Sequence, residues 1–153
     1  MSRTSNTVTI EDARLVFRNF SGREGQYNRA GDRNFSIILD QDTAEDMIRG
    51  GWNVKTLKPR DEGDEPTPYI TVSVSYKGRP PKICLVSSRG KTYLDEEAVD
   101  ILDWSDFVSV DVILTPYDWE VNGKTGRKAY LSSMYATLLE TDLDIKYRDI
   151  ETL

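Results

Sequence analysis

An eight-residue segment in which apolar and polar side chains alternate is the feature that most constrains how this chain folds. Residues 69–76 read YITVSVSY, so Ile70, Val72 and Val74 fall on one face and small polar side chains fall on the other. Strict alternation with a period of two is typical of a β-strand that has one buried face. The pattern therefore predicts a strand of a sheet that covers an apolar core.

The strongest hairpin signal lies later in the chain. Four apolar residues between positions 108 and 114 alternate along a strand that we predict over residues 107–121. The Asn122-Gly123 dipeptide that follows is typical of a two-residue hairpin turn. Residues 127–139 are the predicted returning strand.

Shorter patterns predict the other elements. Strands are expected at residues 7–20, with a polar interruption at Glu11-Asp12, and at residues 33–39, 52–57 and 82–87. Residues 21–32 contain three glycines and no apolar periodicity, which predicts a flexible loop. Asp42-Thr43 is expected to cap a short helix that ends at Arg49, and Asp95 a second helix from residue 96 to about residue 103.

Several strands joined by short turns, with one or two small helices, indicate an all-β fold. The size of the chain best fits an OB-fold-type antiparallel five-stranded barrel with extra hairpins, although a larger β-sandwich stays open. A length of 153 residues is typical of one domain with room for a short tail. We therefore expect a folded domain over residues 1–139 and an acidic C-terminal tail over residues 140–153.

Composition excludes several kinds of chemistry. The chain has no histidine, which removes histidine-based acid–base catalysis, Ser–His and Cys–His nucleophiles and nearly all zinc sites. Its one cysteine, Cys84, is expected to be a small buried apolar residue. With no possible internal disulfide, no signal-peptide pattern and no membrane-length apolar run, a cytoplasmic location is expected. No nucleotide-binding motif or cysteine cluster occurs, so no cofactor and no metal are predicted.

Charge is unevenly distributed along the sequence. Residues 69–94 carry five basic and no acidic residues, and this charge of +5 leaves −11 on the remainder of a chain whose net charge is −6. A second basic block, residues 13–33, holds five arginines against two acidic residues. The low acid content of strands explains the missing acids but not the five bases. Segregated cations are typical of a surface that binds phosphates.

Aromatic residues accompany these cations. If the hairpin turn has two or four residues, Tyr117 and Trp119 share a face with Lys128 and Tyr130, whereas a three-residue turn breaks this arrangement. Rings interleaved with bases are typical of single-stranded nucleic-acid binding, where bases stack on rings and cations hold the backbone. Burial in the core is the alternative for every ring, and we expect it for Trp52, Trp104 and Phe107.

The candidate nucleic-acid contacts share a position in the two basic blocks, the glycine-rich loop or the last hairpin. They are Arg14, Arg18, Tyr27, Arg29, Tyr76, Lys77, Arg79, Lys82, Arg89, Lys91, Tyr93, Tyr117, Trp119, Lys128 and Tyr130.

Two other functions stay open. The acidic chain could be a protein-interaction module that imitates DNA on a host or defence enzyme. A Mg²⁺-dependent nuclease would need converging carboxylates, for which the candidates are Asp40, Asp42 and Asp46, or Asp118 and Glu120 with Lys124.

Three segments resemble known sequences. Residues 33–40 (RNFSIILD), 51–76 and 122–135 (NGKTGRKAYLSSMY) resemble single-stranded DNA-binding proteins of tailed bacteriophages, particularly those that infect actinobacteria. The resemblance spans residues 8–139 and implies an OB-fold, sequence-tolerant binding of ssDNA and a role in phage replication or recombination. Many such proteins have an acidic tail with a terminal aromatic residue.

The tail of this sequence departs from that pattern, because it contains Lys146 and Arg148 and ends in Leu153. Acidic tails recruit replication or recombination partners or compete with DNA. A short amphipathic helix that uses Leu143, Ile145, Tyr147 and Ile150 is the equal alternative. The oligomeric state stays open, with a homo-oligomer possible.

Overall fold

The alternating segment forms a strand at the centre of the sheet. The computed structural model describes residues 7–59 and 61–147. In strand β5 (Thr67–Val74) the predicted apolar residues Ile70, Val72 and Val74 are buried. The other strands are β1 (Val8–Ile10), β2 (Arg14–Asn19), β3 (Arg33–Ile38), β4 (Val54–Leu57), β6 (Lys82–Ser87), β7 (Gly90–Tyr93), β8 (Phe107–Val121) and β9 (Lys124–Leu138). The helices are α1 (Gln41–Arg49), a 3₁₀ helix (Val99–Asp103) and α2 (Asp142–Lys146).

The order of hydrogen-bonded strands is that of an OB-type barrel. Six strands follow one another as β1-β8-β9-β5-β3-β2. Because β1 and β2 are consecutive segments of one chain, interrupted at residues 11–13, the path returns to the strand on which it began. The backbone N–H of Ala13 donates to the carbonyl of Val110 at 2.7 Å and keeps the bend attached to β8. Five strand positions therefore surround the core, as expected for an OB-type barrel.

Two strand pairings depart from the expected antiparallel arrangement. Strand β9 pairs in parallel with β5, through Ser73 and Tyr130, and then in parallel with β6, through Lys82 and Ser133. Alternation along a strand specifies which side chains face the core, but it carries no information about strand direction. Here β5 and β6 lie end to end along the same edge of β9.

The helices differ in detail from their predictions. The N-cap of α1 is Asp40, so the prediction of Asp42-Thr43 as the cap is wrong. The Asp40 carboxylate accepts a hydrogen bond from the Thr43 N–H at 2.7 Å, which lowers the pKa of Asp40. The prediction that Asp95 caps the second helix is also wrong: Asp95 accepts from the N–H groups of Glu97 and Ala98 in the preceding turn, and the N-cap is Ala98. The element that follows is a short 3₁₀ helix.

Three of the four residues that we expected in the core behave as predicted. Trp52 and Cys84 are buried, and Phe107 is half-buried against the core. Trp104 is 72% exposed, so the prediction that it is a core residue is wrong. Val99 and Leu102 lie one 3₁₀ turn apart and face the core, which leaves Trp104 pointing outward from the end of that helix.

A β-bulge in the last hairpin controls which rings reach the outer surface. Ala129 and Leu131 face the core, but so do Met134 and Ala136, which differ from them by an odd number of positions. The register between β8 and β9 shifts at Leu131, and the extra residue changes the phase of the alternation. Tyr130 and Tyr135 consequently lie on the same outer surface of β9. Within residues 7–59 and 61–147, no helix is long and apolar enough to span a bilayer.

Candidate nucleic-acid interface

A basic groove lies on the outer face of β3 and β5, between the loop of residues 21–32 and the β8–β9 hairpin. Its volume is about 510 Å³. The cations that line it come from four separate parts of the chain and are Arg29, Arg33, Lys77 and Lys128. Two rings, Tyr76 and Tyr130, lie among them, and the acidic residues are Asp32 and Glu96. The fold therefore brings distant cations and rings together, as the sequence predicted for Lys77 and Lys128, whereas the predicted Arg89 does not line this groove.

The floor of the basic groove is polar because of the alternation in β5. While Val72 and Val74 point into the core, Thr71 and Ser73 point outward into the groove. Ser73 is paired with Asn34 of β3 on one side and with Tyr130 of β9 on the other. Small polar side chains leave room for a ligand and offer hydrogen-bonding groups to it.

The hairpin carries one wall of the basic groove. Its turn has two residues, Asn122 and Gly123, with φ values of 52° and 80°, as a type I′ turn requires. Tyr117 is therefore paired with Lys128, and the predicted shared face is confirmed.

The aromatic pair at the base of this hairpin meets edge to face. The centroids of the Tyr117 and Tyr130 rings are 5.8 Å apart at an interplanar angle of 77°. The Nζ atom of Lys128 lies 5.2 Å from the Tyr130 centroid. Tyr117 is 56% exposed, so the predicted exposure of this ring is confirmed.

The opposite face of the hairpin is neutralised within the protein. The Nε atom of Arg127 donates to Oδ1 of Asp118 at 2.7 Å, a hydrogen bond that lowers the pKa of Asp118 and raises that of Arg127. Trp119 lies on the face of Tyr117 and is paired with Gly126, where a Cβ atom would lie 2.5 Å from Cζ2 of the indole. Trp119 borders a separate cleft beside Gly50 and Gly51 and does not line the basic groove.

Arg33 is a groove residue that our candidate contacts omit, although it lies in the second basic block. Its Nη1 atom donates to the Glu96 carboxylate at 3.0 Å, and its guanidinium carbon lies 5.8 Å from the Tyr76 centroid. Burial raises the pKa of Tyr76 to about 12. Arg33 is the first residue of β3, and its orientation depends on its pairing with Val74 of β5. The residues next to Arg33 in the sequence do not indicate this pairing.

Hydrogen bonds hold the glycine-rich loop that the sequence predicted to be flexible. Gly25 and Asn28 exchange backbone hydrogen bonds at 2.9 and 3.2 Å, and Asn34 donates to the Asn28 side chain at 2.7 Å. Tyr27, between the bridged residues, is 92% exposed at the loop tip. Arg29 lies beside the basic groove and pairs with Asp32 at 3.2 Å. The loop therefore presents a ring and a cation from a fixed turn.

A second cluster, the Lys82 patch, lies farther along β9. The Nζ atom of Lys82 is 5.5 Å from the Tyr93 centroid and 5.8 Å from the Tyr135 centroid. A hydrogen bond with Tyr135 raises the pKa of Lys82. Five residues separate Tyr130 from Tyr135, which corresponds to about 16 Å of strand. Arg89 in the exposed β6–β7 turn and Lys91 in β7 lie beyond this patch, so the candidate cations divide into two groups.

Three further candidates lie outside the basic groove. Arg79 is exposed in the loop between β5 and β6, and Arg14 is exposed at the start of β2. Arg18 is used inside the protein, because its Nη1 atom donates to the carbonyls of Leu102 and Ser105 at 2.8 and 2.6 Å. Its guanidinium also lies over the Phe107 ring, so Arg18 fastens β2 to the 3₁₀ helix.

The exposed Trp104 adds an aromatic–cation pair that the sequence did not predict. The guanidinium carbon of Arg23 lies 5.3 Å from the centroid of the Trp104 ring. The ring is therefore covered on one side by a loop arginine. The sequence signal for this pair was weak, since Trp104 and Arg23 are far apart in the chain.

The carboxylates proposed for a nuclease are dispersed. Within the described part of the chain, no group of three or more carboxylate or thiol side chains is placed to hold a metal ion. Asp40 is used as a helix cap and Asp118 pairs with Arg127.

Comparisons with known proteins agree with this geometry. The family model "Putative phage ssDNA-binding domain" matches residues 1–153. The structure is similar to the single-stranded DNA-binding protein from bacteriophage Enc34 in complex with ssDNA, with a TM-score of 0.59 and 10% identity over 89% of this chain and 88% of that chain. A second structure of that protein gives a TM-score of 0.55 and 10% identity, over 88% and 82% of the two chains. No curated protein matches the sequence. At such low identity the structural likeness shows the fold.

Proposed function

The chain belongs to the phage ssDNA-binding domain family, and from this premise we propose that it is a non-catalytic, sequence-tolerant ssDNA-binding protein. It acts in phage DNA replication or recombination, in the cytoplasm of the infected host. The observation that carries the proposal is the basic groove, in which Lys77 and Lys128 lie beside Tyr76 and Tyr130.

The position of the groove supports a nucleic-acid ligand. In OB-folds the face of the second and third barrel strands, with the loops at its two ends, binds oligonucleotides. Counting the bent β1–β2 segment as the first barrel strand, β3 and β5 are the second and third. The groove lies on their outer face, with the first loop on one side and the β8–β9 hairpin on the other.

The contents of the groove support a single strand over a duplex. Stacking on Tyr117, Tyr130 or Tyr76 requires an unpaired base with an open face, and every base has one, which accounts for sequence tolerance. The cations contact the phosphates. The candidates Arg29, Lys77 and Lys128 line this site, and Tyr27 lies at the tip of the loop that carries Arg29.

Five further candidate contacts are proposed for longer strands that leave the groove along β9. They are Arg79, Lys82, Arg89, Lys91 and Tyr93. Their rings and cations extend the same outer surface toward the β6–β7 turn.

We also propose the division into a domain over residues 1–139 and a tail over residues 140–153. Glu140 is attached to the β6–β7 turn, because its carboxylate accepts from the Ser88 N–H at 2.6 Å and from the Ser88 hydroxyl at 2.9 Å. Helix α2 follows with a capping box formed by Thr141 and Asp144. Leu143, Ile145 and Tyr147 are exposed, and the predicted Ile150 lies outside the described residues.

A fluorescence titration tests the proposal. The unsubstituted protein is titrated with oligo-dT and with duplex DNA of matched length. The same two titrations are repeated with a double variant that carries Lys77→Gln and Lys128→Gln. We expect preferential binding of oligo-dT, which the double substitution weakens. Equal affinity for both DNA forms, or no effect of the double substitution, would overturn the proposal. Incubation of labelled DNA with Mg²⁺ tests the non-catalytic part, since any cleavage that EDTA stops would contradict it.

A further inference from the structure

An exposed aromatic residue sits in an unusual backbone conformation on the same sheet face as the basic groove. The register between β2 and β3 shifts between Val16 and Asn19, and Phe17 lies in this bulge. Its φ is 52°, in the left-handed region that bulky side chains rarely adopt, and its side chain is 61% exposed. Bulges redirect side chains, and strained residues often mark functional sites.

The bulge turns Phe17 across the neighbouring strand. Its ring reaches Tyr69 of β5, with centroids 6.2 Å apart and an interplanar angle of 74°, although β3 lies between the two strands. Ser36 of β3 points to this outer face, where its hydroxyl contacts that of Thr71, yet it is 3% exposed. The two rings therefore form a step above the sheet, in which most of the Phe17 side chain stays exposed.

Cations flank this step in one row across the sheet. Arg14 is paired with Ile38, Ile38 with Tyr69, and Tyr69 with Lys55. Arg14 and Lys55 are exposed, and the described residues show no ion pair to either of them.

The acidic residues near Arg14 do not neutralise it directly. Glu11, Asp12 and Asp40 line the cleft beside it, and none of the three forms an ion pair with Arg14 among the described residues. The Phe17–Tyr69 step thus combines two rings with two cations that have no ion pair among the described residues. The basic groove offers the same combination in Tyr76, Tyr130, Lys77 and Lys128.

The step and the groove face the same side of the sheet. Tyr69, Thr71 and Ser73 alternate with the buried residues of β5, so they share its outer face. Tyr69 is four residues from Ser73 on the groove floor, which corresponds to about 13 Å of strand. A single strand of DNA can span this distance within the roughly 4–16 nucleotides that one OB-fold contacts.

We propose that Phe17 and Tyr69 form a second base-stacking subsite, with Arg14 and Lys55 holding the adjacent phosphates of the same DNA strand. The inference rests on the proposed function, because it extends the path of the bound strand from the basic groove across β5 and β3 to β2. The bulge at Phe17 fixes the platform in place before DNA binds.

Affinity measured as a function of oligonucleotide length tests this subsite. For the unsubstituted protein, affinity for oligo-dT rises with length until the strand spans both the groove and the step, up to about 12 nucleotides. Phe17→Ala should lower affinity for that length by about 5- to 150-fold and make affinity level off at a shorter length. Ile48→Ala is the matched control, since Ile48 is an exposed apolar residue of α1 away from this face.

Phe17→Gly separates stacking from stability. Glycine adopts positive φ without strain, so this variant should melt at least as high as the unsubstituted protein and still lose affinity as Phe17→Ala does. If both Phe17 variants keep the affinity and the length dependence of the unsubstituted protein while Lys128→Gln weakens binding, the second subsite is overturned and the proposed function stands. If the unsubstituted protein does not bind oligo-dT, the proposed function itself is overturned.

Discussion

The salt dependence of DNA binding can be calculated from the cations of the basic groove. Arg29 and Arg33 each pair with a carboxylate, whereas Lys77 and Lys128 have no ion pair within the described residues. Each phosphate neutralised on a single strand contributes about −0.7 to the slope of log affinity against log salt. The groove alone should give about −1.4 if only the two lysines act, and about −2.8 if all four cations do.

Replacing one groove lysine should therefore change that slope by a defined amount. Lys128→Gln removes one phosphate contact and should make the slope less negative by about 0.7. Over a tenfold change in salt, this equals about a fivefold difference in affinity, or about 1 kcal/mol. Lys128 is exposed, and its Nζ atom lies over the Tyr130 ring, so the loss of charge should leave the fold unchanged.

Fluorescence anisotropy of labelled oligo-dT, measured between about 50 and 200 mM salt, provides the slope. Lys124→Gln is the matched control. Lys124 is an exposed lysine of the same strand on the same face as Lys128, but it lies beside the turn and outside the groove lining. Its slope should equal that of the unsubstituted protein.

Two results would refute this reasoning. A slope near zero for the unsubstituted protein would mean that phosphates are not the contacts. Equal slope changes for Lys128→Gln and Lys124→Gln would mean that general surface charge, and not the groove, attracts the DNA.

Three further substitutions test the packing around the site. Tyr76→Phe removes a buried hydroxyl that has no hydrogen-bond partner in the described residues, so the free energy of unfolding should rise by up to about 1 kcal/mol in urea. In the unsubstituted protein, Tyr76 should ionise near pH 12, a step that Tyr76→Phe removes. Because folding raises the pKa of Tyr76, the unsubstituted protein should also lose stability as the pH rises above about 10. Gly126→Ala drives a Cβ atom into Trp119 and should cost about 1–3 kcal/mol and shift tryptophan emission, whereas Gly25→Ala, which has open space, should do neither. Arg18→Met should cost about 1–3 kcal/mol in urea unfolding while folded protein keeps its oligo-dT affinity; a selective affinity loss would return Arg18 to the DNA contacts.

Features that depend on neighbouring residues in the chain could be predicted from the sequence. The alternation in β5 and the two-residue turn at Asn122-Gly123 are both local, and each is confirmed by the observed burial and register. The turn alone placed Tyr117 beside Lys128, since a two-residue turn fixes every pairing in the hairpin. The pairing of Tyr117 with Lys128 at the edge of the groove was therefore predictable.

Features that depend on distant pairings could not be predicted in this way. Arg33 reaches the groove because β3 pairs with β5, and Trp104 is exposed because the preceding helix is 3₁₀ and uses a shorter repeat. The Phe17 bulge shifts the register within a strand whose sequence is continuous in β-forming residues. In each case the deciding interaction lies outside the local sequence.

A chain with net negative charge can bind DNA only if its acidic side chains do not neutralise the lysines that contact the phosphates. An acidic protein repels a polyanion on average, and at physiological salt this repulsion is screened beyond about 8 Å. Inside that distance, the cations of the groove determine the local potential. Its two acids, Asp32 and Glu96, each pair with an arginine, so they orient guanidinium groups and leave Lys77 and Lys128 for phosphates. The net charge of −6 therefore sets solubility and long-range repulsion, whereas binding depends on the few cations that the β5–β9 pairing brings together.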